Sequence, residues 1–302
     1  MRVRVPASSA NLGPGYDAFG LALELHDEFE ARLAPTWRVD VSGEGAGSLA
    51  HDASNQVARA MARVFAEVGR PSTAAEIDCH NGIPIGRGLG SSSAAIVGGL
   101  LLADALLDAR LGRDRLLQLA TELEGHADNV AAALHGGFTV TSTEGGAVTC
   151  GHVDPAAGLA AIVALGEQEL PTAEARRALP DSVPHGDAAA NAGAAALVAL
   201  GIALGDPALT RAGLRDSIHE RYREQLIPDL AAVRSLFEAA GIGPAVLSGS
   251  GPTVVALVHG TDDTHALEHA RSRADDLRPM LAAVGRGRVL ALGIDRLGAV
   301  VA

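Results

Sequence analysis

The chain opens on alternation: Val3 and Val5 stand between arginines, and Pro6 follows, which predicts a short strand ending at the proline. The mostly polar stretch from Ala7 to Asp17 reads as a loop, and it leads into the apolar run Ala18–Leu23. Alternation returns over Glu28–Leu33 and Trp37–Val41, two further strands. Between Asn55 and Val68 the apolar positions Val57, Met61, Val64, Phe65 and Val68 recur every three or four residues, the period of one helix face. Ile77 and Cys79 mark a strand, and helices are predicted over Ser92–Leu107, Asp114–Leu123 and Asp128–Leu134. Gly136-Gly137 stops the last of these, and Phe138–Ser142 reads as a strand.

The pattern changes near Gly151–Pro155, where we place a division into residues 1–152 and 153–302. Beyond it, strands are expected at Leu159–Leu165, Ala245–Leu247, Thr253–Val258, Val289–Ile294 and Gly298–Val301. Helices are expected over Asp187–Leu204, Asp229–Ala240 and Asp263–Val284. Strands and helices mix without regular β-α-β alternation, so α+β fits better than a doubly wound sheet.

The segment Ile83–Leu102 carries the strongest chemistry: a glycine-serine loop running directly into an apolar helix. Gly86, Gly88 and Gly90 can adopt backbone angles closed to other residues, so successive N–H groups can converge on one anion. Ser91, Ser92 and Ser93 then open the helix, where unpaired N–H groups and the positive dipole end attract phosphate. Their hydroxyls can cap the helix, touch phosphate oxygens or ligate magnesium. Ser91 stands where a Rossmann G-x-G-x-x-G would need its last glycine, and no lysine follows to make a Walker A loop.

The chain in fact has no lysine: all 24 of its Lys+Arg residues are arginine. Schiff-base chemistry, pyridoxal phosphate anchoring and a lysine general base are excluded with it. Phosphate must be handled by backbone dipoles, hydroxyls, arginine and metal. A formal net charge of −12 argues against a nucleic-acid partner. Two cysteines are too few for a disulfide framework, and reduced thiols are expected. The start, Met1-Arg-Val-Arg-Val-Pro, lacks a signal-peptide core, and no run of about 18 apolar residues lacks a charge or glycine break. We therefore expect a cytoplasmic protein with no membrane partner.

Two other patterns carry candidate chemistry. Glu124-Gly-His-Ala-Asp128-Asn129 joins two helices; beside a phosphate loop, its carboxylates suit magnesium and a substrate hydroxyl. His265-Ala-Leu-Glu268-His269 spells an inverted zinc-protease motif, but its helix is densely charged and no third ligand follows, so it reads as a solvated surface.

Three segments together resemble the GHMP kinase superfamily, and within it the homoserine kinases. They are Pro6-Ala-Ser-Ser-Ala-Asn11-Leu-Gly-Pro-Gly-Tyr-Asp17, the loop from Ile83 to Ala95, and Leu247-Ser-Gly-Ser-Gly-Pro-Thr253. The segments around Asp128, Arg176 and Ile218–Pro228 fit the homoserine kinases in particular. The resemblance implies an N-terminal ribosomal-protein-S5-like domain and a C-terminal ferredoxin-like α/β sandwich. It also implies ATP, Mg²⁺, L-homoserine as the phosphoryl acceptor, a step in threonine biosynthesis, and a homodimer. ATP would lie on Pro84, Ile85, Gly86, Arg87, Gly88, Leu89, Gly90, Ser91, Ser92, Ser93 and Ala94, with Asn55 lining the adenine pocket. Ser92 and Glu124 match magnesium ligands, with Ser91 an alternative to Ser92. Asn11 and Asp17 match homoserine-facing residues, and Arg176 and Arg223 match a pair gripping its carboxylate. Asp128 and Asn129 match the catalytic positions, with Asp128 either a base or an orienting group. The alternatives are another small-molecule GHMP kinase, acting on shikimate or mevalonate, and a nucleotide-binding protein without catalysis.

Overall fold

A computed structural model describes residues 1–302. β1 (Arg2–Asn11) and β2 (Gly15–Ala34) form an antiparallel pair joined by a tight turn. β1 does not end at Pro6. Proline has no N–H to donate, and the register with β2 slips between Pro6 and Ala7, yet the strand resumes. Ser8 and Ser9, read as loop, are fully buried in it. Distant partners make this tolerable: Ser8 Oγ donates to Asn129 Oδ1 at 2.9 Å, and Ser9 Oγ is hydrogen-bonded to Ser248 Oγ at 2.9 Å.

β3 (Arg38–Gly43), α1 (Gln56–Glu67) and β4 (Ala74–Asn81) follow, with β3 parallel to β4 and β4 antiparallel to β2. Asn55 caps α1, its Oδ1 accepting the Val57 N–H at 2.9 Å. The glycine-serine loop then enters α2 (Ser91–Leu107), which is apolar all round and accordingly buried along most of its length. α3 (Arg113–Glu124), α4 (Asp128–His135), β5 (Phe138–Glu144) and β6 (Ala147–Val153) complete the first half. β6 lies where the sequence suggested only a change of character; its glycine-linked hairpin with β5 is half exposed and weakly patterned.

The second half opens with β7 (Leu159–Ala164), followed by α5 (Thr172–Arg177), α6 (His185–Leu204), α7 (Pro207–Gly213) and α8 (Glu220–Arg223). α9 (Leu230–Ala239), β8 (Ala245–Leu247), β9 (Val254–His259), α10 (Asp263–Ala283), β10 (Val289–Gly293) and β11 (Val300–Val301) finish the chain. α5, α7 and α8 escape a reading by periodicity, because four to seven residues make at most two turns.

Two sheets result. One has seven strands, ordered β11-β1-β2-β4-β3, with the β5-β6 hairpin hung on β2; the other is the antiparallel set β10-β7-β9-β8. This is the α+β architecture expected. The chain crosses from the first sheet to the second between β6 and β7, and β11 returns to pair with β1. The larger core joins α1–α4 to the first sheet and includes Leu159, Val163, Val198 and Val246 from the second half. A smaller core lies between the second sheet, α9 and α10. α6 is 20 residues long, with a mean hydropathy of 1.6, enough by length and composition to cross a membrane. Most of its surface is exposed, yet Asn191 is buried and anchors it, donating to the Pro14 carbonyl at 2.7 Å and accepting the Ser217 N–H at 3.1 Å.

A steric demand with consequences for the loop before α2 falls at Gly88, where φ is +79° and a Cβ would overlap the Ser248 carbonyl oxygen and sit 2.9 Å from that of Gly251. Gly69 has a similar φ, +74°, with nothing within 4 Å. Gly69→Ala should therefore cost only the backbone strain of a left-handed alanine, roughly 1–2 kcal/mol. Gly88→Ala should add about 1–3 kcal/mol of overlap with backbone that cannot move aside. Urea unfolding midpoints, compared at constant m, measure the difference.

Candidate active site

Three stretches of backbone meet at one cleft: the end of β1, the loop before α2, and the loop between β8 and β9. The Ser8 N–H donates to the Leu89 carbonyl at 3.1 Å, and the Gly249 N–H to the Ala10 carbonyl at 3.0 Å. Ser248 Oγ donates to the Gly88 carbonyl at 2.6 Å. Asn11, itself left-handed at φ +71°, ties two of the stretches: Nδ2 donates to the Gly249 carbonyl at 2.7 Å and Oδ1 accepts the Asp17 N–H at 2.9 Å. Gly86, Gly88 and Gly90 all have positive φ, and Gly90 is the N-cap of α2. No side chain caps this helix, and the N–H groups of Ser91, Ser92 and Ser93 donate no hydrogen bond within the chain. They are open donors at a helix N-terminus that lines the cleft.

Beside them stand the acids. Glu124, the last residue of α3, accepts from Ser92 Oγ through Oε2 and from Ser93 Oγ through Oε1, each at 2.8 Å. The left-handed Gly125 turns the chain so that Asp128 opens α4. Asp128 Oδ1 accepts from His126 Nδ1 at 2.6 Å and from the Asn129 N–H at 2.7 Å, which leaves Oδ2 without a protein partner. His126, unremarked in the sequence reading, thus braces the Asp128 carboxylate. Burial opposes a charge on its ring, but the hydrogen bond and charge of Asp128, aided by Glu124, outweigh it and raise its pKa.

The far wall is cationic. Arg176 holds Asp17 with two hydrogen bonds, at 2.7 and 2.8 Å, and donates to the Tyr16 hydroxyl at 3.0 Å. Arg223 is 2% exposed and touches no carboxylate: it donates to the carbonyls of Gly249 and Ala175 at 3.3 and 3.4 Å, and to His219 Nδ1 at 3.0 Å. Burial draws the guanidinium's pKa down. The Tyr16 ring is within cation–π reach of both guanidiniums, 5.7 Å from that of Arg176 and 5.4 Å from that of Arg223, and it packs against His219. Because His219 Nδ1 accepts from Arg223, its proton must sit on Nε2, which donates to the Gly13 carbonyl at 2.8 Å. Burial keeps this ring neutral, with its pKa lowered to about 4.

Asn11, Asp17, Glu124, Asp128, Asn129, Arg176 and Arg223 line this one cleft with Gly86, Gly88, Gly90, Ser91 and Ser92. Ser93, Leu89 and Ala94 are buried and do not line it. Arg87 turns away to the Gly166 carbonyl, and Pro84 lies with it in a separate depression. An adjoining cavity shares Gly86, Ser91, Ser92, Leu170 and Thr172 with the cleft. Its walls are largely apolar, among them Phe29, Val41 and Ile85, and Asn55 lines it. Both polar groups of the Asn55 side chain are already engaged, with Val57 and with the Ala50 carbonyl. Asp27, in the same wall, accepts the N–H groups of Gly82 and Ile83 at the entry to the loop, and burial pushes its carboxyl up to about 7. The sequence reading assigned no role to Tyr16, His126, His219, Gly249 or Ser250. Tyr16, His126 and His219 stand one to four residues from predicted site positions, and that proximity was the available signal.

No group of three or more His, Cys, Asp or Glu side chains is arranged to hold a metal ion, and the His265-x-x-Glu268-His269 motif forms none. The oxygens of Glu124 and Ser92 alone form a hard-donor pair beside open backbone N–H groups. Such a pair fits a magnesium ion that brings its other ligands with a phosphate and water.

Asp128→Asn removes the charge that holds the His126 proton, so burial should gain on Glu124 and the His126 pKa should fall. Titration of its ring by NMR measures this. In the intact protein the folded state binds that proton more tightly than the unfolded chain. The stability it contributes is full below the ordinary value near 6.5 and is lost as pH rises through the higher folded value.

Residues 55–137 match the GHMP kinases N terminal domain, and residues 194–276 match the GHMP kinases C terminal family. A homoserine kinase of Streptomyces avermitilis is 46% identical over 85% of this chain and 85% of its own length. One from Moorella thermoacetica is 42% identical over 85% and 87%, and one from Desulfitobacterium hafniense is 34% identical over 100% and 99%. The crystal structure of a homoserine kinase from Cytophaga hutchinsonii superposes with a TM-score of 0.87, at 29% identity over 100% of this chain and 97% of that one. The L. major mevalonate kinase shares the fold alone, with a TM-score of 0.73 at 14% identity over 97% and 95%. The glycine loops, the acids at the start of α4 and the cationic wall thus sit in a chain that belongs to the homoserine kinase family of the GHMP kinases.

Proposed function

We propose that the protein transfers the γ-phosphoryl group of ATP to the side-chain hydroxyl of L-homoserine. The observation that carries this reading is Arg223, a buried guanidinium with no carboxylate partner, across the cleft from a helix N-terminus with open N–H groups. A buried cation without a counterion is costly, and a bound carboxylate relieves that cost. The Arg176–Asp17 pair extends the logic. A zwitterionic amino acid can exchange this one ion pair for two, its carboxylate on Arg176 and Arg223 and its ammonium on Asp17. Asn11 then serves to position Asp17 and the Gly249 carbonyl.

Backbone N–H groups from Gly88 to Ser92 hold the β- and γ-phosphates, and the cavity at Asn55, Phe29 and Ile85 takes the base. Ser92 and Glu124 are the chain's ligands for magnesium, and ATP brings the reactive phosphoryl group. Asp128 Oδ2 accepts from the attacking hydroxyl while Oδ1 stays with His126 and the Asn129 N–H; Asn129, held by Ser8, packs beside it. Phosphoryl transfer through a loose transition state asks for alignment more than early proton removal, so Asp128 acts chiefly to orient the substrate. A second copy of the chain covers the exposed alanine-rich face of α6, where Leu200 and Leu204 are 51% and 68% exposed.

ADP release should be rapid with L-homoserine and near background with mevalonate, shikimate or no acceptor. Arg223→Met, which keeps the buried stem, should lower kcat/KM for homoserine roughly tenfold to a hundredfold, through the loss of about 1.5–3 kcal/mol. ATP affinity should be nearly untouched; loss of nucleotide binding with an unchanged homoserine KM would reverse the assignment. Glu124→Gln should raise sharply the Mg²⁺ concentration needed for half-maximal activity, and an unchanged dependence would remove Glu124 from the metal. Leu200→Glu with Leu204→Glu should convert a dimer to a monomer by sedimentation.

A further inference from the structure

A second cavity, of about 200 Å³, opens where α7, the turn between α9 and β8, β9 and α10 meet. None of its lining residues lines the catalytic cleft or the cavity at Asn55. In a chain of net charge −12 its wall contains no acid, but it contains Arg211, Arg273, His259 and His269. Neither arginine has a carboxylate partner. Arg211 Nη2 donates to the Ile242 carbonyl at 3.2 Å, and its guanidinium lies over Gly243, where a Cβ would come within 2.8 Å. Arg273 donates to the Ala240 carbonyl at 3.4 Å and to His269 Nε2 at 3.3 Å. That bond leaves the proton of a neutral His269 on Nδ1, a further donor without a partner in the chain. His259 Nε2 is buried with no partner at all. Asp206, the acid whose charge reaches His259, turns its carboxylate to cap α7 at the N–H groups of Ala208 and Leu209. Leu214, Ile242 and Leu257 supply an apolar side to the same space.

Two unneutralised guanidiniums, an orphaned imidazole nitrogen and an apolar wall converge on a space the size of a small metabolite. We propose that this cavity is a second binding site, for a small organic anion whose carboxylate or phosphate monoester is held by Arg211 and Arg273. The apolar part of the ligand packs on Leu214, Ile242 and Leu257. His269, which the sequence offered only as half of a false zinc motif, is a wall of this site. The site is independent of the reading of the catalytic cleft.

The test uses the full chain with ¹³C-labelled histidine, titrated separately with inorganic phosphate and with acetate. The ring signals of His259 and His269 should shift saturably with at least one of the two, and the responding anion identifies the phosphate or carboxylate class. His126 reports the catalytic cleft in the same spectra, so binding there is seen separately. The double variant Arg211→Gln, Arg273→Gln should weaken the His259 and His269 response at least tenfold. It should leave homoserine phosphorylation unchanged in the absence of added anion. Shifts that never saturate with either anion, or that persist undiminished in the double variant, would overturn the site. So would a response confined to His126.

Discussion

Gly88 lies so close to the carbonyls of Ser248 and Gly251 that nothing larger than hydrogen fits between them, and Ser248 Oγ reaches back to the Gly88 carbonyl. This contact locks the glycine-serine loop against a loop some 160 residues further along the chain. The end of β1 is wedged into the same knot through Ser8, Ser9, Ala10 and Asn11. Rigidity here has a chemical purpose. A helix N-terminus binds phosphate well only if its N–H groups are held in place beforehand, because dipoles that must reorganise lose much of their value. The same knot carries Asn129 through Ser8 and Asp17 through Asn11, so these side chains and the open N–H groups of α2 share one frame.

The charge arrangement follows a second rule. The cleft divides into an acidic edge, with Glu124 and Asp128, and a cationic edge, with Arg176 and Arg223. The Tyr16 ring takes a cation–π contact from each guanidinium, which offsets part of the cost of bringing two like charges to one wall. His219 adds an acceptor that must stay neutral to serve Arg223, and its burial ensures that it does. With no lysine in the chain, every fixed side-chain cation is a planar fork, suited to gripping carboxylates and phosphates in defined orientations.

Much of this was legible in the sequence because the decisive signals are local. Three alternating glycines and a serine run announce a loop and helix start with no knowledge of the rest, and α2 begins one residue before the expected Ser92. What stayed hidden depends on partners far along the chain. Ser8 and Ser9 read as loop because hydroxyls signal solvent unless an acceptor is known, and theirs lie 121 and 239 residues away. The Arg176–Asp17 pair spans 159 residues, and the neutral tautomer of His219 follows only once Gly13 and Arg223 are seen on either side of it. α8 carries Arg223 into the cleft on four residues, too short for any periodicity to declare.

The last strand has a consequence for how the protein comes into being. β11 pairs with β1, Val3 opposite Val301 and Arg4 opposite Val300, so the strand that carries Asn11 and the buried serines lacks its outer neighbour until Val300 and Val301 have been made. During synthesis, β1 must either wait as an open sheet edge or borrow a partner, and an unpaired edge rich in valine is an invitation to other chains. The larger core reinforces the delay, since Leu159, Val198 and Val246 complete it from the second half. Pairing β11 with β1 is thus a contact of very long sequence separation, the kind whose loop-closure entropy slows folding. The cleft, whose lining runs from Asn11 to Ser250, is complete only once the second half has folded onto the first.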